Sequence, residues 1–301
     1  MKLYAIGDLH LSYEYNRKAL AELKPHPEDG LILCGDVGET DEHLELAFSL
    51  GKRHFKQVFW CPGNHELYSV PAAQPDAIKG EEKYQHCVEV AREHGVHTPE
   101  DDFVRWDGEG GPVLIAPIFT LYDYSFRPDH VTRAEAVSWA EETDTVATDE
   151  FMLHPDPYPS RDAWCHALVG RFEKKLEQAR KDFTNDDGEP LPIVLINHWP
   201  LREDLVYIPR VPRFSLWCGT KKTEDWGKRF GAKVVVSGHL HVPRTDWKGG
   251  VRYEECSLGY PRQWQDIRAA GKDINDLLRE VLPGPSPPPG GEADMEWRRW
   301  G

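Results

Sequence analysis

The sequence predicts an α/β protein built on a partly parallel sheet with helices packed against it. Two observations predict it. Apolar runs of strand length alternate with helix-like segments through the first half of the chain, and five of these runs end on Asp, His or Asn. The runs are Leu3–Ile6, Leu31–Cys34, Val58–Cys61, Val113–Ile118, Ile193–Ile196 and Val234–Val236, each bounded by Gly or polar residues as buried strands are. Helix-like segments fall at Tyr15–Leu23, Glu42–Arg53, Glu82–His94, Ala134–Glu142 and Ala163–Phe183. A further strand pattern, Val251–Cys256, comes after the turn signal Lys248-Gly249-Gly250. Beyond Trp264 the pattern predicts one helix over 265–282. The Pro/Gly-rich run after it predicts a flexible tail over 283–301, whose Trp297-Arg298-Arg299-Trp300 group frays or docks.

The 301 residues allow one large core and a second small lobe. A formal charge of −15 argues against a general nucleic-acid binder, whose affinity comes from neutralising phosphates. The N-terminal residues run straight into a strand and lack signal-peptide features, and no apolar run approaches the ~20 residues that span a bilayer. The six cysteines contain no CxxC pair, and Cys34 and Cys61 sit inside apolar runs as small buried hydrophobes. The expectation is a cytoplasmic protein with no membrane partner.

The chemistry lies in the residues just past the end of each run. Gly7-Asp8-Leu9-His10, Gly35-Asp36, Gly63-Asn64-His65-Glu66, Asn197-His198 and Gly238-His239-Leu240-His241 each close a strand-like segment. Side chains just past the carboxyl ends of neighbouring strands converge on one crevice, and the glycines permit sharp turns and close approach. Carboxylate, imidazole and amide oxygen together suit Mn²⁺, Fe or Zn²⁺. The x-spaced pairs Asp8/His10 and His239/His241 point two side chains the same way on extended backbone. Two such cations share a bridging hydroxide and clamp phosphoryl oxygens during an in-line displacement. Asp36, with two carboxylate oxygens, is the candidate bridge. By contrast, His43, His54, His86, His94, His97, His130 and His166 lie on helix faces or in loops and read as solvated or packed.

This set resembles the calcineurin-like metallophosphoesterases: Asp-x-His, Gly-Asp, Gly-Asn-His-Glu, a later His and Gly-His-x-His are all matched. The resemblance implies a four-layer αββα sandwich, two mixed β-sheets flanked by helices, with inserted cap segments. It implies that Asp8, His10, Asp36 and His241 hold one metal and that Asp36, Asn64, His198 and His239 hold the other. His65 would protonate the leaving oxygen. An acidic residue orients this histidine in some relatives within an Asp-Arg-Gly run; that run is absent here, and Glu39 occupies the acidic position. The phosphoesterase domain would cover 1–264.

Substrate choice must come from the inserts between the motifs. The segment 66–163 is too long for a simple connection and is expected to form a cap, carrying Tyr122 to Pro128 and Asp156 to Arg161. The segment 199–233 holds eight Lys/Arg against four Asp/Glu in an otherwise acidic chain. Such an island attracts an anionic substrate or an acidic partner, or is merely a solvated face. Tyr124, Arg127, Arg161, Arg202 and Arg213 are the candidate substrate contacts. The stretches Val146–Phe151, Pro157–Cys165, Ser215–Thr220 and Glu254–Trp264 resemble one subgroup, the actinobacterial phosphopantetheinyl hydrolases. That resemblance implies a phosphodiesterase that removes the 4′-phosphopantetheine arm from holo acyl carrier protein. The alternatives are a phosphatase or phosphodiesterase for a small metabolite or nucleotide, and a non-catalytic module that keeps only the fold. The complete ligand set weighs against the last.

Overall fold

Two sheets carry the strands, as the family resemblance implied. The computed structural model describes residues 1–69 and 78–298. The first part of the chain alternates β1 (Leu3–Ile6), α1 (Glu14–Leu20), β2 (His26–Cys34), α2 (Asp41–His54), β3 (Phe55–Cys61) and α3 (Gly80–Glu93). Next come β4 (Val104–Trp106), β5 (Val113–Pro117), α4 (Ala136–Glu141), α5 (Asp149–Met152) and α6 (Arg161–Asp182). The last third contains β6 (Ile193–Ile196), α7 (Trp226–Arg229), β7 (Ala232–Ser237), β8 (Arg244–Lys248) and β9 (Val251–Glu255). It ends with α8 (Pro261–Ala269), α9 (Ile274–Leu277), β10 (Arg279–Leu282) and β11 (Ala293–Trp297).

The first sheet has the order β10-β1-β2-β3 and the second β11-β8-β9-β7-β6-β5-β4. Both are mixed: β1, β2 and β3 run parallel with β10 antiparallel, and β5, β6, β7 and β9 run parallel with β4 and β8 antiparallel to their neighbours. Side-chain alternation explains why the runs are continuously apolar. Ile32, Cys34, Phe59 and Cys61 of the first sheet meet Ile115, Val194, Ile196 and Val236 of the second in one buried cluster. Their neighbours Leu31, Leu33, Val58 and Trp60 face the other way, into the core shared with helical residues such as Leu44, Phe48 and Val88. These central strands are thus covered on both faces, which gives the helix–sheet–sheet–helix layering. Helix α2 starts where the Thr40 side chain accepts from the His43 N–H, and α6 where Ser160 Oγ accepts from the Ala163 N–H at 3.2 Å.

Three boundaries differ from expectation. The region 66–163 is only partly a cap: α3 packs on α2, and β4 and β5 complete the second sheet, so the true insert begins after Pro117. Part of this expected cap, 70–77, lies outside the described residues. The helix expected over 265–282 is broken at Gly271 (φ 90°) into α8 and α9, and its last residues form β10. Hydrogen-bonding groups on the free edge of β1 take up this strand, and Val281 and Leu282 are buried between the sheets. The tail expected to be flexible forms β11 along β8, and Arg298 reaches the buried Glu254 at 2.8 Å. Trp297 packs edge-on against Tyr207; Arg299 and Trp300 lie outside the described residues. No described helix is long and apolar enough to cross a membrane.

Candidate metal centre

The carboxyl ends of β1, β2 and β3 meet those of β6 and β7 where the two sheets abut. The turns beyond these ends are tight and energetically costly. Asp8, His10, Asp36, His239 and His241 have φ between 43° and 72°, so the Asp8/His10 and His239/His241 pairs are not on the extended backbone expected but in a left-handed conformation that non-glycine residues occupy at about 1–3 kcal/mol each. Neighbouring backbone holds them there. Asp8 N–H donates to Gly35 O, His10 N–H to Asp36 O, and Gly238 N–H to His198 O, each at 2.9 Å. Gly63 is required because a Cβ there would lie 2.2 Å from Asp36 Oδ1. Gly35, at φ 75°, leaves no room either, since a Cβ would lie 2.5 Å from His198 Nδ1.

Two groups of donor atoms result, each within 4.8 Å: Asp8, His10, Asp36 and His241, and Asp36, His198 and His239. Asp36 is common to both, with Oδ2 4.0 Å from His10 Nε2 and Oδ1 3.6 Å from His198 Nε2. In the first group, His10 Nε2 lies 3.0 Å from His241 Nε2, which lies 3.0 Å from Asp8 Oδ1. In the second, His198 Nε2, His239 Nε2 and the amide oxygen of Asn64 are buried with no hydrogen-bond partner among the described residues. Burying such lone pairs unpaired costs about 1–3 kcal/mol each, which a cation at the same place removes. The donor set therefore fits two divalent ions.

Acceptor-only partners fix the tautomers. His198 Nδ1–H donates to Cys34 O at 2.9 Å, and His241 Nδ1–H to Gln263 Oε1 at 2.8 Å, so both present Nε2 lone pairs to the centre. Gln263 Oε1 also accepts the Tyr260 N–H at 2.7 Å, which assigns the amide orientation. Burial, and then the neighbouring imidazoles His65 and His241, hold His10 well below the usual histidine range; burial and His198 do the same to His239. Neutral imidazole is the ligand form.

Asn64 is oriented from the inserted segment. Its Nδ2 donates to Asp149 Oδ1 at 3.0 Å and to Tyr68 Oη at 2.8 Å, while Tyr68 O–H donates to the same Asp149 oxygen at 2.6 Å. With both amide hydrogens used, Oδ1 must face the centre. Glu66 performs a similar task for the backbone. Its carboxylate accepts the N–H groups of Asp36 at 3.0 Å, Val37 at 2.9 Å and Gly63 at 2.9 Å, tying the β2 loop to the β3 loop. Burial, then the charge of Asp36, pushes Glu66 up to about 7.

His65 stands between these groups and the cleft. Its Nδ1 lies 2.7 Å from Glu39 Oε1 and its Nε2 3.8 Å from Asp36 Oδ2. Burial disfavours the charged ring, but Asp36 and the Glu39 hydrogen bond outweigh it and raise the imidazole to about 9. His43, read from sequence as packed or solvated, lies 3.7 Å from Glu39.

Residues 1–243 match the family described as calcineurin-like phosphoesterase. The chain belongs to this family of phosphoester hydrolases. It is 45% identical over 290 residues to the acyl-carrier-protein phosphodiesterase PptH of Mycobacterium tuberculosis, covering 96% of this chain and 85% of that protein. The crystal structure of that phosphopantetheinyl hydrolase superposes with a TM-score of 0.85, covering 94% of this chain and 96% of the other.

In this phosphoesterase the cleft over the ligand clusters encloses about 690 Å³. The five expected substrate contacts do not line it. Tyr124 donates to Glu150 at 2.7 Å beneath the Arg133 guanidinium. Arg161 pairs with Glu150 at 3.0 Å and donates to Leu153 O, and Arg127 donates to Val131 O and Tyr124 O. Arg202 pairs with Asp204 and Arg213 with Glu142, each at 2.8 Å. These residues brace the inserts. Half of the basic island is paired with acids, since Lys221 meets Glu203 and Arg229 meets Glu173 and Glu177 in addition to the Arg202 and Arg213 pairs. In their place, Tyr68, Asp149, Phe214, Tyr260, Arg262 and Gln263 line the cleft. Asp149 and Gln263 lie in stretches that carry the subgroup resemblance, but no spacing signal connects them to Asn64 or His241.

Proposed function

We infer that this phosphoesterase hydrolyses the phosphodiester joining 4′-phosphopantetheine to holo acyl carrier protein. The observation that carries the reading is the pair of donor clusters sharing Asp36, in a chain 45% identical along almost its full length to a protein named for that activity. Asp8, His10, Asp36 and His241 would hold one divalent ion, and Asp36, Asn64, His198 and His239 the other. Mn²⁺ is the first choice, with Fe or Zn²⁺ accepted by the same donors. When bound, the ions supply positive charge to the phosphoryl oxygens and make water a better nucleophile at neutral pH.

The protein's own groups do the rest. His65, hydrogen-bonded through Nδ1 to Glu39, would deliver a proton from Nε2 to the leaving oxygen. Glu39 keeps the imidazole's Nδ1–H engaged and the ring aimed at the cleft. Asp149 and Glu66 keep Asn64 and Asp36 in place before substrate arrives. All six cysteines are free and buried, in keeping with a cytoplasmic setting.

The test is to incubate the Mn²⁺-loaded protein with holo carrier protein and weigh the carrier intact. Loss of the phosphopantetheine mass is expected. An intact carrier, under conditions where a generic aryl phosphodiester is cleaved, removes this substrate. Markedly higher catalytic efficiency on a small phosphate would favour the metabolite alternative.

A further inference from the structure

The cleft has two unlike sides. On one, Tyr260 stacks on His10 with ring centroids 4.4 Å apart, and Arg262 lies beside it. On the other, Phe214 stacks on His239 at 5.7 Å, and the lining continues through Val146, Ala147, Ile208, Val211 and Leu240 without a charged side chain. A phosphoryl group has no use for this strip, because its oxygens are met by the polar floor. Yet Val146 is 41% and Val211 47% exposed, so the protein keeps methyl groups facing water at the mouth of a charged site.

The strip also extends past the cleft. Val146, Val211 and Phe214 line a second, adjoining cavity of about 290 Å³, closed by Thr143, Asp144, Thr145, Arg210, Pro212 and Arg213. Arg213, although absent from the cleft over the ligand clusters and paired with Glu142, thus borders this second space. Both spaces lie in or near the ~300–1,000 Å³ range of small-ligand sites. The two spaces share Val146, Val211 and Phe214, and the second is bordered by neither His239 nor Tyr260.

We propose that the Val146–Val211–Phe214 strip is the subsite for the pantetheine arm, which leaves the phosphorus on the His239 side. The inference rests on the carrier-protein reading above. The arm suits the strip chemically: it is uncharged, carries a methyl-bearing carbon close to the phosphate, and continues through two amides to a sulfur. The methyl groups pack on Phe214 and Val211, and the amides reach the hydroxyls of Thr143 and Thr145. The carrier polypeptide then approaches from the Tyr260 and Arg262 side, where the lining is aromatic and cationic.

The probe is free 4′-phosphopantetheine, competing with an aryl phosphodiester for the full-length Mn²⁺-loaded protein. Adenosine 5′-monophosphate, which has a phosphate but no arm, serves as comparison. Val211→Asp and, separately, Val146→Asp place a carboxylate against the arm. Each is expected to raise the inhibition constant of 4′-phosphopantetheine at least about ten-fold relative to that of adenosine monophosphate. Val211→Leu should restore inhibition to within about three-fold of the parent. Equal inhibition of parent and both Asp variants overturns the subsite, as does parallel weakening of both inhibitors, which would report only repulsion of the phosphate. A parent protein that shows Val211-dependent inhibition yet leaves holo carrier intact keeps the subsite and removes the carrier reading. Holo carrier cleaved equally fast by parent and both Asp variants keeps the carrier reading and overturns the subsite.

Discussion

Asp149 accepts a hydrogen bond from Asn64 Nδ2 at 3.0 Å across 85 residues of sequence. The contact joins the inserted segment to a loop of the first sheet and leaves only the amide oxygen of Asn64 facing the donor cluster.

Asp149→Ala removes the acceptor that selects this amide orientation. Affinity for the second metal is expected to fall by about 10–100-fold, as measured by metal titration and metal content. Asn64→Asp in the same chain should recover most of that loss, because a carboxylate presents an oxygen in either orientation. No recovery in the double variant would show that Asp149 acts through folding rather than through Asn64.

Asp36→Ala should abolish both metals together, since its two oxygens face the two clusters. Hydrolysis of an aryl phosphodiester should fall by on the order of 10³-fold or more. Elemental analysis showing two retained metals per chain would refute the shared ligand.

His65→Ala should reduce kcat by about 10²–10⁴-fold with metal content unchanged, the range for loss of a general acid. Glu39→Gln gives a different signature. The active form carries the proton, so the rate falls as pH rises through the His65 pKa. Glu39 helps to raise that pKa, and removing its charge should move the alkaline limb of the kcat profile to lower pH. An unmoved limb would separate Glu39 from the proton transfer.

The buried Glu254 carboxylate meets Arg252 at 3.0 Å, Arg279 at 2.6 Å and Arg298 at 2.8 Å, and so fastens the two C-terminal strands to β9. Glu254→Ala leaves these guanidinium groups without their shared partner. A loss of about 3–5 kcal/mol is expected in urea unfolding. A change under about 1 kcal/mol would mean that β-pairing alone holds the C-terminus.

What the sequence by itself determined was local. Apolar runs such as Ile193–Ile196 needed no partner to be recognised as strands, and ligand pairs such as Asp8/His10 lie two residues apart on one backbone. The motif Gly63-Asn64-His65-Glu66 likewise carries its chemistry within four residues. The tertiary structure decided everything that depends on residues far apart. It divided the five ligand-bearing strands between two sheets and turned 279–282 and 293–297 from helix and tail into edge strands. It also cancelled Arg213 and Arg229 with acids from other segments, and set Asp149 behind Asn64. Edge pairing and ion pairing depend on which surfaces meet, and a meeting between segments dozens to hundreds of residues apart leaves no periodic trace in either one. The strand ends did announce a metal centre. Their neighbours in space, rather than in sequence, hold its ligands in position and shape the cleft above them.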